Sequence, residues 1–304
     1  MNKCILYIAG RGNSGSTLLD IVLSQLLDFR SCGELLSGVY RLDTQPCSCG
    51  QPMNECSEWM PVDEKNQEDN KQLFDGIRNR GKFSKIPEAV FNRKAHKVSL
   101  KNEQEYLLTL CGERGGLVDS SKEISRSIYL SRGPSQACIV HLIRNPVALI
   151  VSARRRVATG KVIKINRRDY HWPTPLLFIL DIFVCTAWVV SSALLYILNS
   201  RNRKRYCIID YDDFTKKPVQ TAVSLALHFQ LNHIDKIPSR ANDNQYTVGH
   251  LVGGNRMAAS GVVSVSNKQD EVQAKLPSRI IYWLIAGLPY YLIKRSRYSL
   301  NNLQ

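Results

Sequence analysis

The chain has 304 residues, enough for one large α/β domain or two small ones, and no linker-like stretch divides it. A formal charge of +15 draws anions to the surface over about a Debye length, yet no helix-turn-helix, zinc-finger or RNA-recognition signature accompanies it, so nucleic acid is set aside as a partner. Repeats and low-complexity runs are absent, which confines expected disorder to the tail at 296–304, and an odd count of nine cysteines in largely apolar surroundings points to buried thiols in a reducing, cytoplasmic setting.

The first element is the apolar run Cys4-Ile5-Leu6-Tyr7-Ile8-Ala9, read as a buried strand rather than a signal peptide. It enters Gly10-Arg11-Gly12-Asn13-Ser14-Gly15-Ser16-Thr17, after which Leu18, Leu19, Val22, Leu26 and Leu27 recur at helical spacing. Strand, glycine-rich turn and helix start together make a phosphate cradle, because successive backbone amides and the positive end of the helix face one anion. In the G-x-x-x-x-G-K-[ST] loop of nucleoside triphosphatases a lysine stands where this chain has Ser16. The amides still hold an anion without it, but the grip on a γ-phosphate is lost. A donor with a single 5′ phosphate carrying a transferable group fits better than ATP or GTP, and a ligand-free turn is the alternative for the motif taken alone.

Cys32-Gly33-Glu34-Leu35 falls at a second strand or its exit, followed by a polar, cysteine-bearing insertion at 46–61. Cys47, Cys49 and Cys56, with Cys32 nearby, have the chemistry of zinc ligands, but a second close pair is missing and buried thiols are the expectation. The six histidines, at 96, 141, 171, 228, 233 and 250, show no ligand spacing, and only His250 lies beside a motif of interest. Helices are predicted near 69–80 and 103–111, then a strand Gly116-Leu117-Val118-Asp119 ending in Ser120-Ser121-Lys122, and a helix over 123–132. The strand Ala137 to Ile143 closes on Arg144-Asn145-Pro146, where Asn145 caps and Pro146 opens a helix that carries Ser152.

A long apolar helix is predicted over 175–199, with the uncharged stretch 182–198 near the lower limit for a membrane span. Thr186, Ser191 and Ser192 favour a core helix, while peripheral membrane attachment stays open, with 282–291 as a second apolar helix flanked by Lys294, Arg295 and Arg297. A strand at 206–209 and a helix at 219–230 complete the series. Basic clusters at 154–156, 161–168, 201–205 and 294–297 read as solvated faces. The alternation of strands and helices predicts an α/β, three-layer P-loop fold, a central parallel sheet flanked by helices in one domain over 1–304. In such sheets ligands bind beyond the carboxyl ends of the strands, where Gly10, Asp119 and Arg144 fall.

Taken in order, the loop Asn13 to Leu19, Gly33-Glu34-Leu35, Val118 to Lys122, Val140 to Pro146 with Ser152, and His250 to Arg256 resemble the sulfotransferases that use 3′-phosphoadenosine 5′-phosphosulfate (PAPS). A bacterial branch of that P-loop superfamily is similar also in Cys47-Ser48-Cys49-Gly50 with Cys56 and Trp59, and the resemblance spans residues 3–295. It implies transfer of a sulfuryl group from PAPS to an acceptor hydroxyl on a carbohydrate or polysaccharide precursor. On that resemblance Gly12, Asn13, Ser14, Gly15, Ser16 and Thr17 hold the 5′-phosphosulfate, Arg144 and Ser152 the 3′-phosphate, and Gly254 and Arg256 belong to a loop closing over the donor. Glu34 is the expected general base. The family usually has Lys or Arg where Asn13 stands, so Arg11 or Lys122 is the expected cation at the leaving phosphate. Arginines and amides meet the donor's charge, so no metal is required. Two further readings stand beside it: a nucleotide kinase-like P-loop protein, opposed by the missing lysine, and a non-catalytic anion-binding partner in a polysaccharide assembly system.

Overall fold

The structure is a computed structural model that describes residues 3–40, 46–53, 55–59, 67–91, 97–133, 137–159, 163–165, 168–170, 176–232, 234–241, 243–254, 256–265 and 276–296. His96, His171, His233, Asn255, the Arg256 side chain, Arg297, the tail at 297–304 and parts of the stretches 46–61 and 161–168 lie outside the described residues.

In chain order the strands are β1 (Cys4–Gly10), β2 (Phe29–Gly33), β3 (Gly116–Lys122), β4 (Cys138–Ile143), β5 (Ile163–Ile165), β6 (Arg168–Tyr170), β7 (Tyr206–Asp210), β8 (Gln245–Thr247) and β9 (Val262–Ser264). The first helices are α1 (Ser16–Leu27), α2 (Leu35–Tyr40), α3 (Gln67–Arg80), α4 (Ile86–Phe91), α5 (Lys97–Leu110) and α6 (Ile124–Arg132). After β4 come α7 (Pro146–Ala158), α8 (Leu177–Asn199), α9 (Tyr211–Lys216), α10 (Pro218–Phe229), α11 (Leu276–Tyr282) and α12 (Leu288–Arg295).

Five strands form one parallel sheet in the order β2-β3-β1-β4-β7, while β5-β6 and β8-β9 are small antiparallel pairs. Alternation along β1 explains the layers: Ile5, Tyr7 and Ala9 enter one core with α3, α5, α6 and α8, and Leu6 and Ile8 enter the other with α1 and α10. Both faces are covered, which is why the central strands read as continuous apolar runs. The result is the α/β architecture with a central parallel sheet between two helical layers.

Local chemistry sets the helix ends. Asn145 Oδ1 accepts the Val147 amide at 3.0 Å and Pro146 opens α7, as its sequence predicts. Asp210 caps α9 through the amides of Asp212 and Asp213, and its other oxygen accepts from Tyr290 at 2.7 Å and pairs with Lys294 at 3.1 Å. That one buried carboxylate therefore ties α12 to the end of β7. Between α11 and α12, residues Trp283–Gly287 form a π-helical turn. Pro289 has no amide proton to give a carbonyl four residues back, and the widened turn accommodates the loss.

Helix α8 packs against α6, α7, α11 and α12. Its inner face carries Leu180, Cys185, Trp188 and Leu195, with Asp181 fully buried and held by Arg154 through two hydrogen bonds of 2.9 and 2.6 Å. Phe178, Ile179, Ile182, Val190 and Ile197 are exposed on the same helix. Among the described residues α8 is the one helix long and apolar enough to cross a membrane by length and composition, and 33% of its apolar window is buried against the rest of the chain.

Candidate functional site

The loop after β1 turns back through Asn13 (φ 67°) and Gly15 (φ 93°), with the Ser14 amide donating to the Arg11 carbonyl at 3.2 Å. Left-handed backbone at Gly15 starts α1 with no capping side chain, so the first amides of the helix are turned to the loop's concave side without a side-chain acceptor. The Ser14 hydroxyl is 1% exposed and has no hydrogen-bond partner among the described residues. An uncapped helix start beside a buried, unpartnered hydroxyl is what an anion would complete.

Arg144 leaves the end of β4 and stacks on Tyr211, its guanidinium carbon 4.3 Å from the ring centroid. Nη1 donates to the Asn13 carbonyl at 3.0 Å, and Nε is buried without a partner. The same Tyr211 ring occupies the space a Cβ on Gly15 would need, so glycine is required there on two counts: ring contact and positive φ. Tyr211 thus joins the anion loop to Arg144, and no motif in the sequence marked it. Ser152 sits half-buried two turns along α7. One turn further, Arg156 donates through Nη2 to Asn13 Oδ1 at 2.7 Å. Where the loop has Asn13 in place of a basic residue, an arginine from α7 reaches that side chain.

At the other end of the site Glu34 follows β2 and pairs with Lys122 at the end of β3. Ser37 Oγ donates to the second Glu34 oxygen at 3.2 Å, so the carboxylate is oriented from two sides. Lys122 takes φ 71°, which swings its side chain across the strand ends. Arg11 is half-buried, and burial pushes its pKa down while the Glu123 carboxylate pulls the other way. The segment Val252-Gly253-Gly254 bridges the halves: the Glu34 amide donates to the Val252 carbonyl at 2.7 Å, and Cβ atoms on Gly253 and Gly254 would come within 3.2 Å of Glu34 and 3.1 Å of Thr17 respectively. Both glycines combine positive φ with these close neighbours, which together favour glycine in this turn. Arg256 opens a 3-10 turn just beyond, and its side chain lies outside the described residues.

Two buried acidic groups support the site from behind, one placed differently from its sequence reading and one that the sequence did not mark. Asp119, expected at a ligand-binding strand end, turns inward: its Oδ2 accepts from Arg126 Nε and Nη2 at 3.1 and 3.0 Å, and Oδ1 accepts the Ser121 amide. Arg126 also pairs with Glu103, which holds Arg80, forming a network buried between β3, α3, α5 and α6. Ser121 in turn accepts the Leu36 amide at 3.0 Å, so this network fixes the start of α2 beside Glu34. Asp20, on the first turns of α1, is fully buried and accepts from Ser31 Oγ at 2.6 Å and the Gly33 amide at 3.0 Å. Burial raises its pKa to about 7 against these hydrogen bonds. Asp20 therefore positions the exit of β2 that presents Glu34.

No protein-family profile matches the sequence, and no curated protein matches it. Among solved structures the chain is similar to the sulfotransferase domain from the curacin biosynthetic pathway, with 16% identity, 93% of this chain and 97% of that chain covered and a TM-score of 0.49. It is similar also to the sulfotransferase domain of the Synechococcus PCC 7002 olefin synthase (14% identity, 94% and 94% covered, TM-score 0.45) and to sulfotransferase STF1 from Mycobacterium tuberculosis H37Rv (11% identity, 94% and 77% covered, TM-score 0.47). At these identities and TM-scores the likenesses decide nothing about activity.

Proposed function

We propose that the chain is one sulfotransferase domain that moves a sulfuryl group from PAPS to a hydroxyl of a carbohydrate acceptor. The observation that carries this reading is the pairing of a lysine-free anion loop, whose Ser14 hydroxyl is buried and unpartnered, with an arginine stacked beside it whose Nε is likewise unsatisfied. Loop amides from Gly12 to Thr17 would take the 5′-phosphosulfate, and Arg144 with Ser152 the 3′-phosphate, through charge-assisted hydrogen bonds. A nucleoside triphosphate would leave its γ-phosphate without the lysine such loops use.

In this reading Glu34 accepts the acceptor hydroxyl's proton as its oxygen attacks sulfur; the bond from sulfur to the bridging oxygen breaks, and that oxygen leaves on the 5′-phosphate. Lys122 and Ser37 aim Glu34, and Lys122, Arg11 and Arg156 are the cations available to the leaving phosphate. Arg156 joins the two sequence candidates because it already touches Asn13. Gly254, against Thr17, would lie over the donor, with Arg256 following it in the chain. The test is incubation with PAPS radiolabelled on sulfur and a panel of neutral mono- and disaccharides. Wild type is expected to label an acceptor and Glu34→Gln to lose labelling while keeping affinity for the donor product. Equal labelling by both forms removes Glu34 from the role, and donor-product binding without transfer to any acceptor favours the non-catalytic reading.

We further propose that the protein is cytoplasmic and attaches peripherally to an anionic bilayer through one part of its surface. Exposed Trp283, Leu284, Leu288, Tyr291 and Leu292 adjoin the exposed side of α8, with Lys294 and Arg295 at the helix end. Such a basic-flanked apolar surface suits the headgroup boundary. The buried Asp181–Arg154 pair opposes a bilayer-spanning α8, because a span would strip the carboxylate of its partner.

A further inference from the structure

The insertion after α2 and the segment after β8 converge on four side chains that none of the chemistry above uses. Cys47 Sγ, Cys49 Sγ, Cys56 Sγ and a ring nitrogen of His250 all lie within 4.8 Å of one another. Cys49 and Cys56 sulfurs are 3.7 Å apart, and His250 Nδ1 is 3.2 Å from Cys56 and 3.8 Å from Cys47. A tetrahedron with Zn–S of about 2.3 Å and Zn–N of about 2.0 Å has edges of about 3.7 Å between sulfurs and about 3.5 Å from sulfur to nitrogen. The Cys49–Cys56, Cys56–His250 and Cys47–His250 separations lie within about 0.3 Å of those edges, and no pair in the cluster is more than 4.8 Å apart. A disulfide needs sulfurs about 2.05 Å apart, and all nine cysteines are free thiols.

The backbone around the cluster aims the ligands. Cys47 donates its amide to Gln51 at 2.8 Å and accepts the Gly50 amide at 2.9 Å, closing a tight turn through left-handed Gly50 (φ 92°) that brings Cys47 and Cys49 to one side. Ser48 locks this turn onto the histidine segment: its amide donates to the Leu251 carbonyl at 2.9 Å and its hydroxyl accepts the Leu251 amide at 3.1 Å. Cys47 and Cys56 are buried, with Trp59 buried behind them, and Cys49 faces outward. Cys32, near in sequence, is not a member. The fourth ligand comes 194 residues after Cys56, which is why spacing along the chain hides it.

We propose that Cys47, Cys49, Cys56 and His250 bind one zinc ion in a closed, structural site. Three soft thiolates and an imidazole in tetrahedral array select zinc among the common divalent metals, and four protein ligands leave no position for a water or substrate. The ion staples the insertion to the segment that continues through Val252-Gly253-Gly254, so it fixes the turn lying over Glu34 and Thr17 without entering the chemistry.

The test is elemental analysis of the full chain purified without chelator, beside Cys49→Ser and His250→Ala, and cobalt reconstitution of the metal-stripped chain. About one zinc per chain is expected in wild type and at least a fivefold loss in each variant. The cobalt form should show thiolate-to-metal charge transfer and the visible bands of a tetrahedral ion. Cys49 is exposed, so its substitution tests the site even where replacement of buried Cys56 impairs folding. Metal below a tenth of stoichiometry in wild type, zinc content unchanged by both substitutions, or a Cys49–Cys56 disulfide in the freshly isolated chain overturns the proposal. None of these readouts depends on a nucleotide or an acceptor, so they stand apart from the sulfotransferase reading.

Discussion

Replacing Asp20 by Asn should change how stability depends on pH in a defined window. Asp20 is fully buried, and its carboxyl is raised from 3.8 to about 7 in the folded chain, chiefly by burial. The native state therefore holds this proton more tightly than the unfolded state, and stability falls as pH rises from about 4 to about 7, levelling off above that. A gap of about 3 pKa units is worth about 4 kcal/mol, a large share of the 5–15 kcal/mol that keeps an ordinary domain folded. Asn keeps the shape: its oxygen accepts the Gly33 amide and its nitrogen donates to Ser31 Oγ, which rotates to receive it. Urea unfolding at intervals from pH 4 to pH 8 gives both curves, and their difference cancels the other titrating groups. The variant should gain on wild type by up to about 4 kcal/mol across that window. Parallel curves would refute the buried, proton-linked Asp20.

Arg126→Met should cost about 3–5 kcal/mol in urea unfolding, because it leaves Asp119 and Glu103 buried and unpaired; a loss under about 1 kcal/mol would mean water reaches the network. Arg156→Ala should lower sulfuryl transfer about tenfold, about 1.4 kcal/mol in the barrier, with donor-product affinity little changed; equal loss of both would make it a binding residue only. Gly15→Ala should displace Tyr211 and with it Arg144, weakening donor-product binding at least tenfold in calorimetry. The chain should sediment with vesicles containing anionic phospholipid and not with neutral ones, and the exposed-site double change Trp283→Ser with Leu284→Ser should abolish this without moving the melting temperature; retention by the double variant would move the contact elsewhere.

What the sequence made legible is what local chemistry decides. The strand, the glycine turn and the helix at 4–27, the Asn145-Pro146 start of α7, and the apolar helix ending at Asn199 all follow from short-range pattern. Element limits moved by a few residues where a tertiary contact or an αL cap intervened, as at Asp28, whose left-handed backbone lets β2 begin at Phe29. Short elements held by distant partners were not legible: the β8-β9 pair has three-residue strands, and α2 starts where Ser121 accepts the Leu36 amide. Of the residues in the proposed site, the loop and Arg144 could be picked out from sequence because their candidacy rests on backbone position beside a glycine turn and a strand end. Tyr211, Arg156 and Asp20 were not, since a stacking ring, a cation one turn beyond a serine and a buried carboxylate leave no spacing to recognise. Asp119 shows the reverse case, a carboxylate read as lying at a strand end that the structure sets within β3, paired with a buried arginine seven residues on.

The central claim is that the loop and Arg144 form a site for a 3′-phosphorylated adenosine donor. Calorimetric titration of the purified chain with 3′-phosphoadenosine 5′-phosphate, ATP and adenosine 5′-phosphate, repeated with Arg144→Ala, tests it most directly. The 3′-phosphorylated nucleotide should bind at least tenfold more tightly than either competitor, a margin of about 1.4 kcal/mol, and the substitution should remove that margin. Equal affinity for ATP, or no binding of any of the three, would contradict the assignment and leave a P-loop protein of another kind.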